Sequence, residues 1–306
     1  MTKHSFGNTG YTVSSLGFGS APIGYLGADQ QRVGNILNLM LDAGMNLIDT
    51  AASYPGSEEL IAKTVGHRRS EFVLVSKCGG KLPDLPDPAW SPELITKTVD
   101  RSLKNLNTDH LDVMLLHSCH LERLQSGVVE PLVKAREAGK IRFVGYSGDN
   151  EAAAYAAGLA DIAVIETSIS IADQVNIDKV LPICRQNNLG VLAKRPIANA
   201  AWKDIEQQQG LYRTYAQEYT NRLKQMRIQP QDVGFADNGT AWPEVALRFT
   251  LSQPGVHCAI IGTTHPDNAR ANIELAEKGP LPADAVQKIR DAFKRADPNG
   301  TWTGQT

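Results

Sequence analysis

Asp49, Tyr54, Lys77 and His117 are the residues of this chain whose types and order fit one acid–base reaction. Asp49, Lys77 and His117 each follow a short apolar run, and Tyr54 stands a few positions after Asp49 in Asp49-Thr50-Ala51-Ala52-Ser53-Tyr54. Singly they say little: an Asp at a strand end caps turns, a His there is usually a hydrogen-bonded structural group, and a Lys there is often only exposed. Together, in consecutive units, they suit reduction of a carbonyl. Hydride arriving at a carbonyl carbon leaves alkoxide charge on oxygen, which must be stabilised and protonated. A tyrosine titrates near ~10, too high to work unaided at neutrality. An ammonium at Lys77 lowers that value. A buried Lys77 needs a carboxylate to stay charged, and Asp49 is available. His117 can donate to the carbonyl oxygen and orient it. Tyr54 is thus the expected general acid.

These groups must be held by a scaffold, and its pattern is an alternation of short apolar runs with amphipathic segments. A β-hairpin is expected over 6–13, with Asn8-Thr9-Gly10 in its middle. Strand-like runs follow at 15–18, 46–48, 72–76, 111–116, 141–144, 162–165, 190–193 and 257–261. They are apolar without clean alternation, as strands buried on both faces are. Helical spacing appears at 28–43, 57–65, 91–106, 128–137, 151–157, 176–186, 242–252 and 267–277, and a last amphipathic helix at 282–296 precedes a polar tail. Ser91-Pro92-Glu93 reads as an N-cap with Pro at the first helical position. Eight β-then-α units predict a (β/α)₈ TIM barrel with an N-terminal hairpin and an extra C-terminal helix. The chain reads as one domain, 1–306. Its longest irregular stretch, 195–241, with a helix at 212–226, reads as an insertion over the active-site face. In such a barrel, function collects at the C-terminal strand ends. The later ends add Ser147 and Gly148, Glu166, and Lys194 to the groups above.

The 306 residues are 42% hydrophobic and 21% charged, enough to bury a sizeable core, and the formal charge of −2 lacks the basic excess of a nucleic-acid binder. No apolar run approaches membrane-spanning length, and the first residues carry no signal-peptide h-region, so a cytoplasmic protein without a membrane partner is expected. Cys78, Cys119, Cys184 and Cys258 are widely spaced and read as free thiols; Cys78, beside Lys77, is a candidate for a thiolate. His117-Ser118-Cys119-His120 lacks the spacing and fourth ligand of a zinc site, so no metal is expected. Gly17-Phe18-Gly19-Ser20 is not a dinucleotide fingerprint, lacking the third glycine. Trp90, Trp202 and Trp302 fall in loops or the tail, where they serve either a substrate pocket or packing.

The run Asn46-Leu47-Ile48-Asp49-Thr50-Ala51-Ala52-Ser53-Tyr54 with Glu58, then Val75-Ser76-Lys77 and Leu115-Leu116-His117, resembles the successive motifs of the aldo-keto reductase superfamily. The resemblance covers nearly the whole chain. It implies a TIM barrel, a nicotinamide cofactor bound extended without a Rossmann domain, and the catalytic tetrad Asp49, Tyr54, Lys77 and His117. It also implies cofactor contacts at Gly19 and Ser20, where the first strand ends, and at Ser147, Gly148, Glu166 and Ile169. Three of these depart from the family pattern. Gly148 stands for an Asn, Glu166 for a Gln, and Ile169 for a Tyr that stacks on the ring. A carboxylate can accept from the carboxamide NH₂ but cannot donate to its C=O. Ser170 and Asp173 fit the family's next loop. Lys194 and Arg195 fall where the family wraps a loop over the pyrophosphate. Gly262, Thr263, Thr264, Asn268, Arg270 and Asn272 fall in the segment that meets the adenosine 2′-phosphate, where Thr264 and Asn268 replace the usual basic residues. Arg270 or His265 would have to substitute, and Arg270 reads equally well as a solvated helix residue. NADP is therefore the cofactor the resemblance implies, with NAD left open by the local sequence. The expected partner is a small carbonyl substrate, an aldehyde, ketone or sugar, or the matching alcohol; monomer and small homo-oligomer are both compatible. Two other readings of the same residues are a Schiff-base lyase or aldolase using Lys77 or Lys194, and a non-catalytic nicotinamide sensor.

Overall fold

The computed structural model describes residues 1–203, 206, 208, 212–236 and 241–305. Parts of the expected 195–241 insertion lie outside these residues. A two-stranded antiparallel ribbon, β1 (Lys3–Ser5) and β2 (Thr12–Ser14), precedes a closed parallel barrel. The barrel strands are β3 (Leu16–Gly19), β4 (Leu47–Asp49), β5 (Val73–Cys78), β6 (Leu111–His117), β7 (Ile141–Ser147), β8 (Ile162–Ser168), β9 (Gly190–Lys194) and β10 (Cys258–Ile261). They pair in chain order, and β10 closes on β3. The eight apolar runs expected from the sequence are these strands, and the TIM barrel stands.

The hairpin is displaced from its expected span. Its strands flank residues 6–11, which form the connection: Gly7–Thr9 makes a 3₁₀ turn closed by Thr9 Oγ1 donating to the Phe6 carbonyl at 2.6 Å. Phe6 leaves the ladder because it is worth more as a plug. It is fully buried with Val13, Leu47, Val75, Val113, Leu115, Val164 and Leu192, the cluster of side chains filling the barrel interior.

The helices follow the expected periodicity with local edits. Asp29 caps Gln30–Asp42 by accepting from Arg32 N, and Ser91 caps Pro92–Leu106 by accepting from Leu94 N at 3.1 Å. The segment read as one helix over 176–186 is two, Val175–Lys179 and Leu181–Gln186. Pro182 has no N–H to continue the ladder. The expected 212–226 helix is present as Tyr212–Met226. Its Tyr219, Leu223 and Met226 pack with Phe249 and with Ile289 and Phe293 of the C-terminal helix Ala283–Ala296, a second apolar cluster beside the one between strands and helices. No described helix is long and apolar enough to cross a membrane.

Register brings the strand ends level. Gly19, Asp49 and Val75 face one another across β3, β4 and β5, and His117, Ser147 and Glu166 across β6, β7 and β8.

Candidate active site

Lys77 lies at the centre of the strand-end residues, 1% exposed. Its Nζ donates to Asp49 Oδ1 at 2.5 Å and to the Thr50 carbonyl at 3.0 Å. Glu166 Oε2 is 3.3 Å away. A buried ammonium would lose its proton to desolvation. Here Asp49, Glu166 and Tyr54 outweigh that cost and push Lys77 above the ordinary lysine value. Burial, and then Glu166, push the Asp49 carboxyl well above the usual carboxylate range despite Lys77.

Tyr54 sits in the turn after β4, half-buried, with the Lys77 ammonium 5.5 Å from its ring centroid. Its ring meets His117 edge-on at 5.9 Å and Tyr25 at 5.5 Å. An ammonium beside a phenol is expected to lower its pKa. Lys77 does pull that way, but burial outweighs it and Asp49 and Glu166 add to burial, so the phenol is raised instead. The physical reason is desolvation of the phenolate, to which the two carboxylates that share Lys77 add their repulsion. Tyr54 therefore keeps its proton near neutrality. His117, at the end of β6, is pushed down to about 3, first by burial and then by Lys77, Lys194 and Arg195, so its imidazole is neutral. A phenol and a neutral imidazole side by side are two hydrogen-bond donors for one incoming oxygen.

The remaining predicted positions divide into those at the same mouth and those tied up elsewhere. Ser147 Oγ donates to Glu166 Oε1 at 3.1 Å, while Glu166 Oε2 is buried without hydrogen-bond geometry to any partner. At Gly148 a Cβ would fall 2.3 Å from the Tyr146 hydroxyl, so the room a larger residue would need is taken by the Tyr146 ring. Ile169 is fully buried in the apolar cluster between strands and helices. Ser20 Oγ is also buried, accepting from Ser57 at 2.8 Å. Lys194, expected to meet phosphate, pairs with buried Asp149 at 2.9 Å. Arg195 donates to Ser168 Oγ at 3.1 Å and to the Gln305 carbonyl.

Across the barrel, Gly262 closes on β3: a Cβ there would be 2.2 Å from the Gly19 carbonyl oxygen and 2.5 Å from Pro22 Cδ. Thr263 Oγ1 accepts from His265 N at 3.0 Å and from Asn268 at 3.4 Å, ordering the entry to the helix Pro266–Glu277. Thr264 is half-buried beside it, Asn272 is buried, and Arg270 is exposed on that helix.

Asp149 was not singled out from sequence. It accepts from Thr167 Oγ1, Ser168 N and Asn176 Nδ2 at 2.7–2.9 Å. Burial would raise it, but Lys194, the Ser168 N–H and Arg195 hold it below the usual carboxylate value. The polar run Ser147-Gly148-Asp149-Asn150 after an apolar strand was its only sequence signal. Cys78 is no thiolate: it is fully enclosed, and burial pushes its thiol up. All four cysteines are free and buried. Among the described residues no group of three or more His, Cys, Asp or Glu is placed to hold a metal. Trp202 stacks on Trp242 at 6.0 Å, and Trp302 packs edge-on against Phe293 at 4.9 Å under the Arg222 guanidinium, so both serve packing. Trp90 fills the space over Gly79.

A closed parallel barrel with Asp49, Tyr54, Lys77 and His117 gathered at its C-terminal strand ends defines a class, the barrel oxidoreductases. The profile of the aldo/keto reductase family matches residues 15–294, and the chain belongs to that family. It is 26% identical over 310 residues to the uncharacterized oxidoreductase YqkF of Bacillus subtilis, covering 96% of this chain and 97% of that one. It is 25% identical to the NADH-specific methylglyoxal reductase of Escherichia coli, covering 96% and 100% of the two chains. In three dimensions it resembles the holo form of the aldo-keto reductase AKR11C1 from Bacillus halodurans, with a TM-score of 0.79, 24% identity and coverage of 95% and 96%.

Proposed function

We propose that this barrel, as a single domain, reduces the carbonyl of an aldehyde, ketone or sugar with a nicotinamide cofactor, NADPH by preference and NADH as the alternative, and that Tyr54 delivers the proton. The observation that carries this reading is the Tyr54 ring meeting His117 edge-on at 5.9 Å, with the Lys77 ammonium, ion-paired to Asp49, 5.5 Å from the Tyr54 ring centroid. The cofactor, when bound, supplies hydride. The residues fit it at one point in particular: Glu166 Oε2 is a buried acceptor whose near neighbour is the Lys77 ammonium at 3.3 Å, outside hydrogen-bond geometry, and a carboxamide N–H is a donor of the right kind. Ser147 fixes that carboxylate from its other oxygen. His117 donates to the substrate oxygen and orients it. Tyr54 protonates the same oxygen as charge develops there. Lys77 is a positioning residue, holding positive charge near the phenolate that remains. Arg270 and the Thr263–Asn268 turn are the groups for an adenosine phosphate. The reading also takes the protein as cytoplasmic, a monomer or small homo-oligomer, with no nucleic-acid or membrane partner.

Nothing favours Schiff-base chemistry. Lys77 is a clamped ammonium and Lys194 is paired with Asp149, whereas an amine nucleophile must be deprotonated. The test is a titration with NADPH and, separately, NADH, followed by tryptophan fluorescence, then turnover of a carbonyl panel by wild type and Tyr54→Phe. The variant should lose on the order of 10²-fold or more in kcat, the scale of general acid catalysis, with cofactor Kd near wild type. Undiminished turnover would remove Tyr54 from the mechanism.

A further inference from the structure

We propose that Glu166 and Asp49, the two carboxylates that flank Lys77, form a counterion favouring the positively charged, oxidised nicotinamide over the neutral reduced one, so that bound reduced cofactor is a stronger hydride donor. This deepens the function proposed above and rests on it.

The charges do not balance. One ammonium, Lys77, meets Asp49 at 2.5 Å and Glu166 at 3.3 Å, and the neighbouring His117 is neutral. The groups facing this cluster are Tyr54 from the turn after β4, His117 from β6, Ser147 from β7, Cys258 from β10, and Tyr212 from the helix Tyr212–Met226, with Lys194 and Arg195 acting on His117. Lys194 is paired with Asp149, and Arg195 donates to Ser168 and Gln305. The cluster is therefore one negative charge in excess, or holds one proton between its carboxylates that an arriving cation would release. Burial makes either condition costly, as the raised Asp49 carboxyl records. Glu166 Oε2 makes no hydrogen bond, and the Lys77 ammonium that offsets the cost at 3.3 Å is shared with Asp49.

The reaction supplies what the cluster lacks. Hydride passes with its electron pair to the carbonyl carbon, the C=O π pair moves onto oxygen, and that oxygen takes the Tyr54 proton. One positive charge is left on the nicotinamide and one negative on Tyr54 Oη. A fixed carboxylate in a water-poor mouth lowers the energy of that positive charge without reorganising. A neutral amide in the place of Glu166 would bond the same group without the charge.

The experiment measures Kd for the oxidised and reduced forms of whichever cofactor binds, by calorimetry or tryptophan fluorescence, in wild type, Glu166→Gln and Glu166→Asp. Wild type should bind the oxidised form more tightly. Glu166→Gln should raise the ratio of oxidised to reduced Kd by about tenfold, mainly by weakening the oxidised form, and Glu166→Asp should keep the wild-type order. A structural role alone would move both constants together. A ratio unmoved in Glu166→Gln overturns the proposal while the function stands. If that variant does not fold, wild type decides alone, and tighter binding of the reduced form overturns it. If neither form binds wild type, the proposed function fails and this inference with it.

Discussion

Lys77 carries the electrostatics of the mouth, and its removal should be felt in stability as well as in rate. Lys77→Met leaves Asp49 and Glu166 facing each other in a buried site with no cation between them. Breaking a buried ion pair this way costs about 3–5 kcal/mol. The loss should depend on pH with a definite sign. The Asp49 carboxyl is already raised by burial and by Glu166, and without Lys77 it loses the cation that pulls it down and titrates further above its unfolded value of ~4. Through that window the folded chain holds protons that the unfolded chain has released, so stability falls as pH rises. Urea midpoints of the variant should be higher at pH 5.5 than at pH 8, with a weaker trend in wild type. An equal deficit at both pH values would mean that the two carboxylates do not interact as their distances to Lys77 imply.

The strands decide where such residues stand, and the close approach of β10 to β3 is a tight constraint at the mouth. Gly262 has ordinary backbone geometry, so what requires glycine there is space: a Cβ would meet the Gly19 carbonyl oxygen at 2.2 Å. Gly262→Ala must part the two strand ends, which costs roughly 1–3 kcal/mol, the range for overpacking. Gly66→Ala, where a Cβ meets nothing within 4 Å and the backbone is helical, is the control and should be near neutral in the same thermal melts. Much at this scale was legible in the sequence. Buried strands declare themselves as apolar runs, and their C-terminal neighbours Asp49, Lys77, His117 and Glu166 followed directly. The helix Ala21–Tyr25 and the helix Leu121–Gln125 were missed because one turn and a half shows no periodicity. The hairpin was misplaced because Phe6 looks like a strand residue until the barrel interior claims it. The raised Tyr54 was out of reach, because it depends first on burial and then on Asp49 and Glu166 beside it, and Asp149 because its partners come from β8, β9 and the helix Val175–Lys179.

At the scale of the molecule, the polar tail turns out to be part of the scaffold. After the helix Ala283–Ala296, Asp297 organises a turn by accepting from Thr301 N at 2.8 Å and Trp302 N at 2.7 Å. The chain then crosses the ends of β7, β8 and β9. Gly304 N donates to Asn150 Oδ1 at 2.6 Å, Gln305 N to Asp173 Oδ2 at 3.0 Å, and Arg222 donates to the Thr303 carbonyl at 2.8 Å. Arg195 and Ser168 both donate to the Gln305 carbonyl. This strap ties the helix Tyr212–Met226 and the loop after β9 to the barrel, through buried charges that would otherwise need water. Asp173 depends on it: burial and the Asp149 charge push its carboxyl up to about 7, and the Gln305 N–H is the first of the contacts pulling it back. Such a segment has no hydrophobic period, so nothing in the sequence distinguishes it from a solvated tail. Removing residues 298–306 should cost about 2–3 kcal/mol, the upper range of a single packing defect, and lower Tm by roughly 3–5 °C for a domain of this size. The deficit should be larger at pH 8 than at pH 6, because Asp173 without Gln305 titrates higher still and a raised folded-state carboxyl loses stability as pH climbs. A Tm unchanged at both pH values would show that the strap rides on the barrel and does not hold it.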